Sequence, residues 1–269
     1  MAGALRNRGG DFAGALRDLE TAIRLDPSYA FSVYERYRAR RGLGDWEGAV
    51  RDLVAAFAAD PKYVWDGTDA ELDAAVKGAA SSGWPRAWRG RRRLAQGRLA
   101  EALRDFDAAL ARERGSALLL VWRGRARLAA GRAAEGLSDL RRAARAEPKL
   151  WAAREALAEA LEARGDARGA LRAWKAAARL APTTVSFALA QGRLELALGR
   201  RAAALASCER ALQLDARSAE ARALKGRVLL SRAMAAGARR RVADFREALA
   251  LAPEIFSPED RAAVAALVR

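Results

Sequence analysis

The chain has 269 residues, 52% of them hydrophobic, a formal net charge of +16 and no histidine. That apolar content excludes wholesale disorder, no run approaches the ~18 uninterrupted apolar residues of a membrane-crossing helix, and imidazole chemistry, whether general-base or metal-ligating, is excluded outright. Lys62, Lys77, Lys149, Lys175 and Lys225 are the only lysines among 49 basic residues, so the charge is an arginine charge. It either favours anionic partners or places guanidinium groups on whatever helix faces are exposed.

Taken from the N-terminus, Met1 to Arg8 does not read as a signal peptide, because no apolar run follows Arg6 and Arg8. Gly10-Asp11-Phe12 opens a helix carrying Ala15, Leu19 and Ala22 and closing at Asp26-Pro27. Little precedes it, so this first unit (about 1–29) is partial, with a short or missing partner helix. A second unit (30–63) turns at Gly44-Asp45-Trp46 and carries Ala49, Leu53 and Ala56 before Asp60-Pro61. An insert follows at about 64–84. Thr68 and Glu71 have capping-box spacing, predicting a short helix from Asp69 to Ala80. The insert sets Asp66, Asp69, Glu71 and Asp73 against Lys77 alone. Either it folds back onto an arginine-rich face or it is a peripheral excursion of the chain.

Pro85 suits a first helical turn, where its missing N–H has no partner to lose. The third unit (85–116) then shows Gly90, Gly97, Ala102, Phe106 and Ala109. The fourth (117–150) has Gly124, Gly131, Gly136, Leu140, Ala143 and Pro148, and the fifth (151–184) has Ala158, Gly165, Ala170, Trp174, Ala177 and Pro182. The sixth (185–218) has Gly192, Gly199, Ala204, Cys208 and Ala211. The seventh (219–256) has Gly226, Gly237, Phe245, Ala248 and Pro253, with about one extra helical turn between its glycines. Ser257-Pro258-Glu259-Asp260 is an N-cap followed by an acidic first turn, predicting a capping helix over 257–269.

Gly90 to Gly124, Gly97 to Gly131, Pro148 to Pro182 and Gly192 to Gly226 are each 34 residues. A fixed period with helical apolar spacing in both halves is the signature of stacked two-helix units. Small residues at Gly90 and Ala102 let two helices approach closely, and Phe106 or Trp174 fills the space between hairpins. Cys208 occupies that same packing position, predicting a buried thiol; as the lone cysteine it fits a reducing, cytoplasmic setting.

On these residues the chain resembles the tetratricopeptide repeat (TPR) family across about 10–253. The resemblance implies an all-α, right-handed superhelix, a solenoid of stacked helical hairpins, whose concave face is lined by each first helix. It also implies a protein that binds peptides, helices or partner domains and is not an enzyme. In such folds the residue after the small residue of the first helix points into the groove. Here those are Arg38, Arg91, Arg125, Glu159, Arg193 and Arg227. The neighbouring rows offer Tyr34, Val121, Leu128 and Leu196. Guanidinium forks suit carboxylates and phosphates, so the expected partner is an acidic or mixed-charge peptide or domain. One family subtype clamps C-terminal carboxylates with Lys and Asn; its Asn would fall where this chain has Arg or Glu, so that clamp is absent.

Unit five departs from the pattern. Glu155, Glu159 and Glu162 lie at spacings that share one helix face. Pairing with Arg125 or Arg193 of neighbouring units accounts for them better than a metal site or a catalytic pair, so no catalytic residue, metal or cofactor is expected. The alternatives are a non-specific nucleic-acid adaptor, or a fragment whose missing domain carries the activity. A homodimer through the incomplete first unit is a further expectation, and no membrane association is expected.

Overall fold

The computed structural model describes residues 2–60, 62–234 and 238–256. Among them the chain is all-α. The helices are α1 (Ala2–Arg8), α2 (Phe12–Leu25), α3 (Ala30–Gly42), α4 (Trp46–Ala59), α5 (Asp69–Gly78), α6 (Trp84–Ala95), α7 (Leu99–Arg112), α8 (Ala117–Ala129), α9 (Ala133–Ala146), α10 (Trp151–Ala163), α11 (Ala167–Leu180), α12 (Val185–Ala197), α13 (Arg201–Leu214), α14 (Ala219–Met234) and α15 (Ala238–Leu251), with a short 3-10 turn at Pro253–Ile255. They fall into two compact units, Met1–Gly136 and Leu137–Arg269. In the first, α1/α2, α3/α4 and α6/α7 pair as hairpins, α2 stacks on α3, and α7 on α8. In the second, α10/α11, α12/α13 and α14/α15 pair, stacked through α11 on α12 and α13 on α14. Each unit is thus a stack of helical hairpins, the architecture of a solenoid.

The hairpin turn is a local consequence of sequence. At Gly44 φ is +75°, a conformation that costs a side-chain-bearing residue about 1–2 kcal/mol. Asp45 next to it caps α4, its carboxylate accepting from Gly48 N at 3.0 Å. Asp11 and Asp166 cap α2 and α11 the same way, at 2.9 and 2.8 Å. Left-handed glycines recur at Gly10, Gly44, Gly97, Gly131, Gly165 and Gly199. The step from Gly44 to Gly97 is 53 residues, 19 more than the period, and the excess is the insert carrying α5.

The packing frame is buried. Ala102, Phe106 and Ala109 in α7, Ala170 and Ala177 in α11, and Ala204, Cys208 and Ala211 in α13 have no exposed surface. Gly90 is required by contact: a Cβ there would lie 2.9 Å from Cε1 of Phe106, closer than carbon atoms pack. Desolvation pushes the Cys208 thiol up to about 12, so it is a core side chain and not a reactive one. The short α1 is the first half of the α1/α2 hairpin, with Gly3 and Ala4 buried and Gly3 set against Leu19 of α2. The extra turn of unit seven lies within α14, at 16 residues against 13 in α12. The capping helix expected over 257–269, with Pro61 and Gly237, lies outside the described residues.

Candidate binding face and the acidic insert

Part of the arginine charge lies inside the hairpins. Asp52 of α4 is 2% exposed and receives Arg36 at 2.7 Å and Arg40 at 2.8 Å, both from α3. Asp105 of α7 receives Arg89 at 2.7 Å and Arg93 at 2.8 Å from α6. Asp244 of α15 receives Arg232 of α14 at 2.6 Å. Hydrogen bonds to the aspartates hold the Arg36, Arg89 and Arg232 guanidiniums above their ordinary range. The sequence signal is two arginines four apart, then an Asp 12 residues after the second. Reading the charge as groove charge overlooked it.

Other hairpins fill that slot differently. The α10/α11 hairpin has Leu157, Leu161 and Ala173. The α12/α13 hairpin has Gln191, Glu195 and Ser207, all buried. Ser207 Oγ donates to Glu195 at 2.7 Å, and Lys175 of α11 reaches the same carboxylate at 2.8 Å.

The residues expected to line a groove divide into three groups. Val121 is 1% exposed, and Ala87 and Leu189 in the same row are also buried. This row is core and not groove wall, because the first helices face their neighbours along it: Leu189 packs in one cluster with Ala221 and Leu224. Leu128 and Leu196 are half-buried. The row one residue after the small residue is more open: Arg91, Arg125, Arg193 and Arg227 are exposed. Arg193 pairs with Glu220 of the next first helix at 2.9 Å. Glu162 accepts the indole N–H of Trp174 within its own hairpin. Glu155 is half-buried and Glu159 exposed, and both have interaction partners.

Of the two readings of the insert, the fold-back is the one observed. Asp66 takes Arg38 at 3.3 Å, Arg41 at 2.5 Å and the Tyr37 hydroxyl at 2.9 Å, three side chains of α3. Asp69 takes Arg92 and Asp73 takes Arg89, each at 2.7 Å. The Gly67 carbonyl accepts from Arg92 at 2.7 Å. A Cβ at Gly67 would lie 2.8 Å from Arg41 Nη1 and 2.9 Å from Trp65 Nε1, so a larger residue would displace side chains that pack on the insert. The Thr68–Glu71 capping box closes in both directions, and Tyr34 donates to the Val64 carbonyl at 3.5 Å. Burial, then the charge of Asp66, raises the Tyr37 phenol above its usual range, so it stays a neutral donor.

Aromatic rings follow the insert. Tyr34 packs on Tyr63 (4.7 Å between centroids), Tyr37 on Trp65 (5.8 Å), Trp65 on Trp88 (6.4 Å) and Trp84 on Trp88 (5.6 Å). Trp65 and Trp88 line a cavity of about 330 Å³ with Leu72, Arg91 and Arg92. Arg91 lies over the Trp122 ring at 4.6 Å. Desolvation, then the like charge of Arg125, holds it below its ordinary range. In the sequence, Trp84 and Trp88, one helical turn apart, were the available sign of an aromatic wall beside the arginines.

Comparison with solved structures places this architecture. The C-terminal part of a TPR repeat-containing protein from Cytophaga hutchinsonii superimposes with a TM-score of 0.55 at 13% identity, covering 100% of this chain and 98% of that one. A crystal structure of MamA gives 0.55 at 15% identity, covering 65% and 94%. MamA from Desulfovibrio magneticus RS-1 gives 0.53 at 17% identity, covering 69% and 94%. No protein-family model matches the sequence, and comparison with curated proteins gives no match. The chain is a helical-repeat protein with the tetratricopeptide-repeat fold. Among the described residues no helix is long and apolar enough to cross a membrane, and no cluster of His, Cys, Asp or Glu could hold a metal ion.

Proposed function

We propose that the protein is a non-enzymatic scaffold that holds an acidic or mixed-charge peptide, or a partner domain presenting one, on the basic face of its first helices. One observation carries this reading: the chain's own acidic insert reaches that face, with Asp66 on Arg38 of the groove row and on Arg41 one turn further along α3. The face binds carboxylates in cis, and the same chemistry serves a carboxylate in trans. Arg91 and Arg125 in the first unit, and Arg193 and Arg227 in the second, are the exposed members of the row, and each pair offers contacts such a segment would make. The setting is cytoplasmic, which suits the lone cysteine, and self-association through the first hairpin is read by light scattering.

The test is a peptide array in which each acidic sequence is matched by its Gln/Asn counterpart. Wild type is expected to prefer the acidic members by about tenfold, the weight of one good charge-assisted contact, and Arg91→Glu/Arg125→Glu/Arg193→Glu to lose that preference. Equal binding of both series would sink the reading. The net charge of +16 favours a second reading, a nucleic-acid adaptor. That reading predicts affinity for an oligonucleotide falling steeply with salt and indifferent to its sequence.

A further inference from the structure

Asp66 of the insert is held as a ligand is held. Its Oδ2 faces Arg38 Nε at 3.3 Å, and its Oδ1 takes Arg41 Nη1 at 2.5 Å and the Tyr37 hydroxyl at 2.9 Å. All three donors lie within about one turn of α3, and Arg41 Nη1 also donates to the Tyr37 oxygen at 3.1 Å. The acids already beside these arginines are committed elsewhere. Glu35 meets Arg38 at 3.2 Å with one oxygen and accepts from Asn7 of α1 with the other. Glu71 meets Arg41 at 3.5 Å with one oxygen and accepts from the Thr68 N–H with the other. The insert has anchors besides Asp66: Leu72 and Ala75 are buried, and Asp73 and Asp69 take Arg89 and Arg92. The next member of the row, Arg91 of α6, lies over the Trp122 ring with no carboxylate in contact among the described residues.

We propose that Tyr37, Arg38 and Arg41 form a carboxylate receptor on α3 that Asp66 fills as a built-in ligand, closing this position of the row to a partner. In the first unit an acidic segment is thereby directed to Arg91 and Arg125 and kept off Arg38. A carboxylate two residues ahead of a capped helix competes at an effective concentration on the order of millimolar or more, above that of a free peptide. The receptor opens where Asp66 stands: the Asp66 and Arg38 side chains are 32% and 33% exposed, against 16% for Arg41, and Tyr37 is fully covered. Glu35 and Glu71 on its flanks suit it to a monoanion, because the second charge of a phosphate would face them. The partner that Asp66 keeps off is that of the scaffold reading above; the receptor itself is tested without one.

The test uses the full-length protein and Asp66→Ala, with sodium acetate as the probe and chloride at equal ionic strength as the control. The readout is the indole N–H resonance of Trp65, whose ring lies 5.8 Å from that of Tyr37, assigned with Trp65→Phe. Acetate is expected to move it saturably in Asp66→Ala, but not in wild type or in Asp66→Ala/Arg38→Gln/Arg41→Gln. Acidic array peptides should bind Asp66→Ala about tenfold more tightly than wild type, the weight of one added charge-assisted contact. Asp66→Asn keeps the shape of the side chain and an acceptor for Tyr37, so it guards against a folding defect, and its affinity should rise in the same direction. Saturable acetate uptake by wild type, or tighter uptake of inorganic phosphate than of acetate, would overturn the proposal. So would an Asp66→Ala protein of unchanged circular dichroism that takes up no acetate. If array peptides bind wild type and both Asp66 variants equally, the receptor assignment fails and the scaffold reading stands. If Asp66→Ala takes up acetate while no acidic peptide binds any of the proteins, the receptor stands and the scaffold reading fails.

Discussion

The α6/α7 and α10/α11 hairpins share a backbone plan and solve its interior in opposite ways. In α6/α7 the slot between the helices holds Arg89, Arg93 and the buried Asp105; in α10/α11 the equivalent positions are Leu157, Leu161 and Ala173. Both close the hairpin, so the ion triad is an alternative filling and not a requirement of the fold. What differs is how each fails. An apolar slot loses contact area when trimmed, whereas a triad missing its acid takes from two partly buried guanidiniums the carboxylate they share, leaving Arg89 only the exposed Asp73 and Arg93 only Glu101. The difference also separates arginines that brace the hairpins from those that can meet a ligand, a distinction invisible in a net charge.

The strongest way to break this comparison is Asp105→Ala. It should cost about 3–5 kcal/mol in urea unfolding; a loss below about 1 kcal/mol would mean that solvent already screens the triad. Transplanting the other solution sharpens the point. Arg89→Leu/Arg93→Leu/Asp105→Ala is expected to be neutral or to gain about 1–4 kcal/mol, and a variant less stable than Asp105→Ala would show that the slot cannot be repacked. Removing the cap should affect both hairpin types alike: Asp45→Ala, beside a triad, and Asp166→Ala, beside leucines, should each lose about 1 kcal/mol. Thermal midpoints that diverge strongly between the two would tie the cap to the slot.

The smallest effect is a pH dependence within the insert. The Thr68 backbone N–H, then its hydroxyl and the charge of Arg41, holds the folded Glu71 carboxyl below its ordinary 4.5. Its contribution is therefore fully present above 4.5 and is lost as pH falls through the lower folded value. Trp65 fluorescence should change on acidification below about pH 4.5 in wild type and less in Glu71→Gln. An identical profile in the two would remove Glu71 from the account.

The frame was legible in the sequence because it repeats. Ala102, Phe106 and Ala109, or Ala204, Cys208 and Ala211, recur at one register, and a small–large–small series at helical spacing has few other uses. The capping box was legible because it is local: Thr68 and Glu71 are three residues apart and need nothing distant to meet. The binding face was less so. Val121 fell in a row assigned to a groove and is core, because the burial of a first-helix position depends on how closely the next hairpin stacks. The triads went unread although their spacing repeats, since an arginine is ordinarily a surface residue until a buried aspartate is found opposite it.

The sequence by itself determined the repeat length, the hairpin plan, the turn glycines and caps, and the burial of Cys208. Each depends on spacing within one or two helices, where 3.6 residues per turn leaves little freedom. Only the tertiary structure decided which arginines Asp66, Asp69 and Asp73 would take and that Trp65 would pack on Trp88. Charge attraction has range but no address. With 49 basic residues in the chain, the choice among them was made by where the insert's backbone could come to rest.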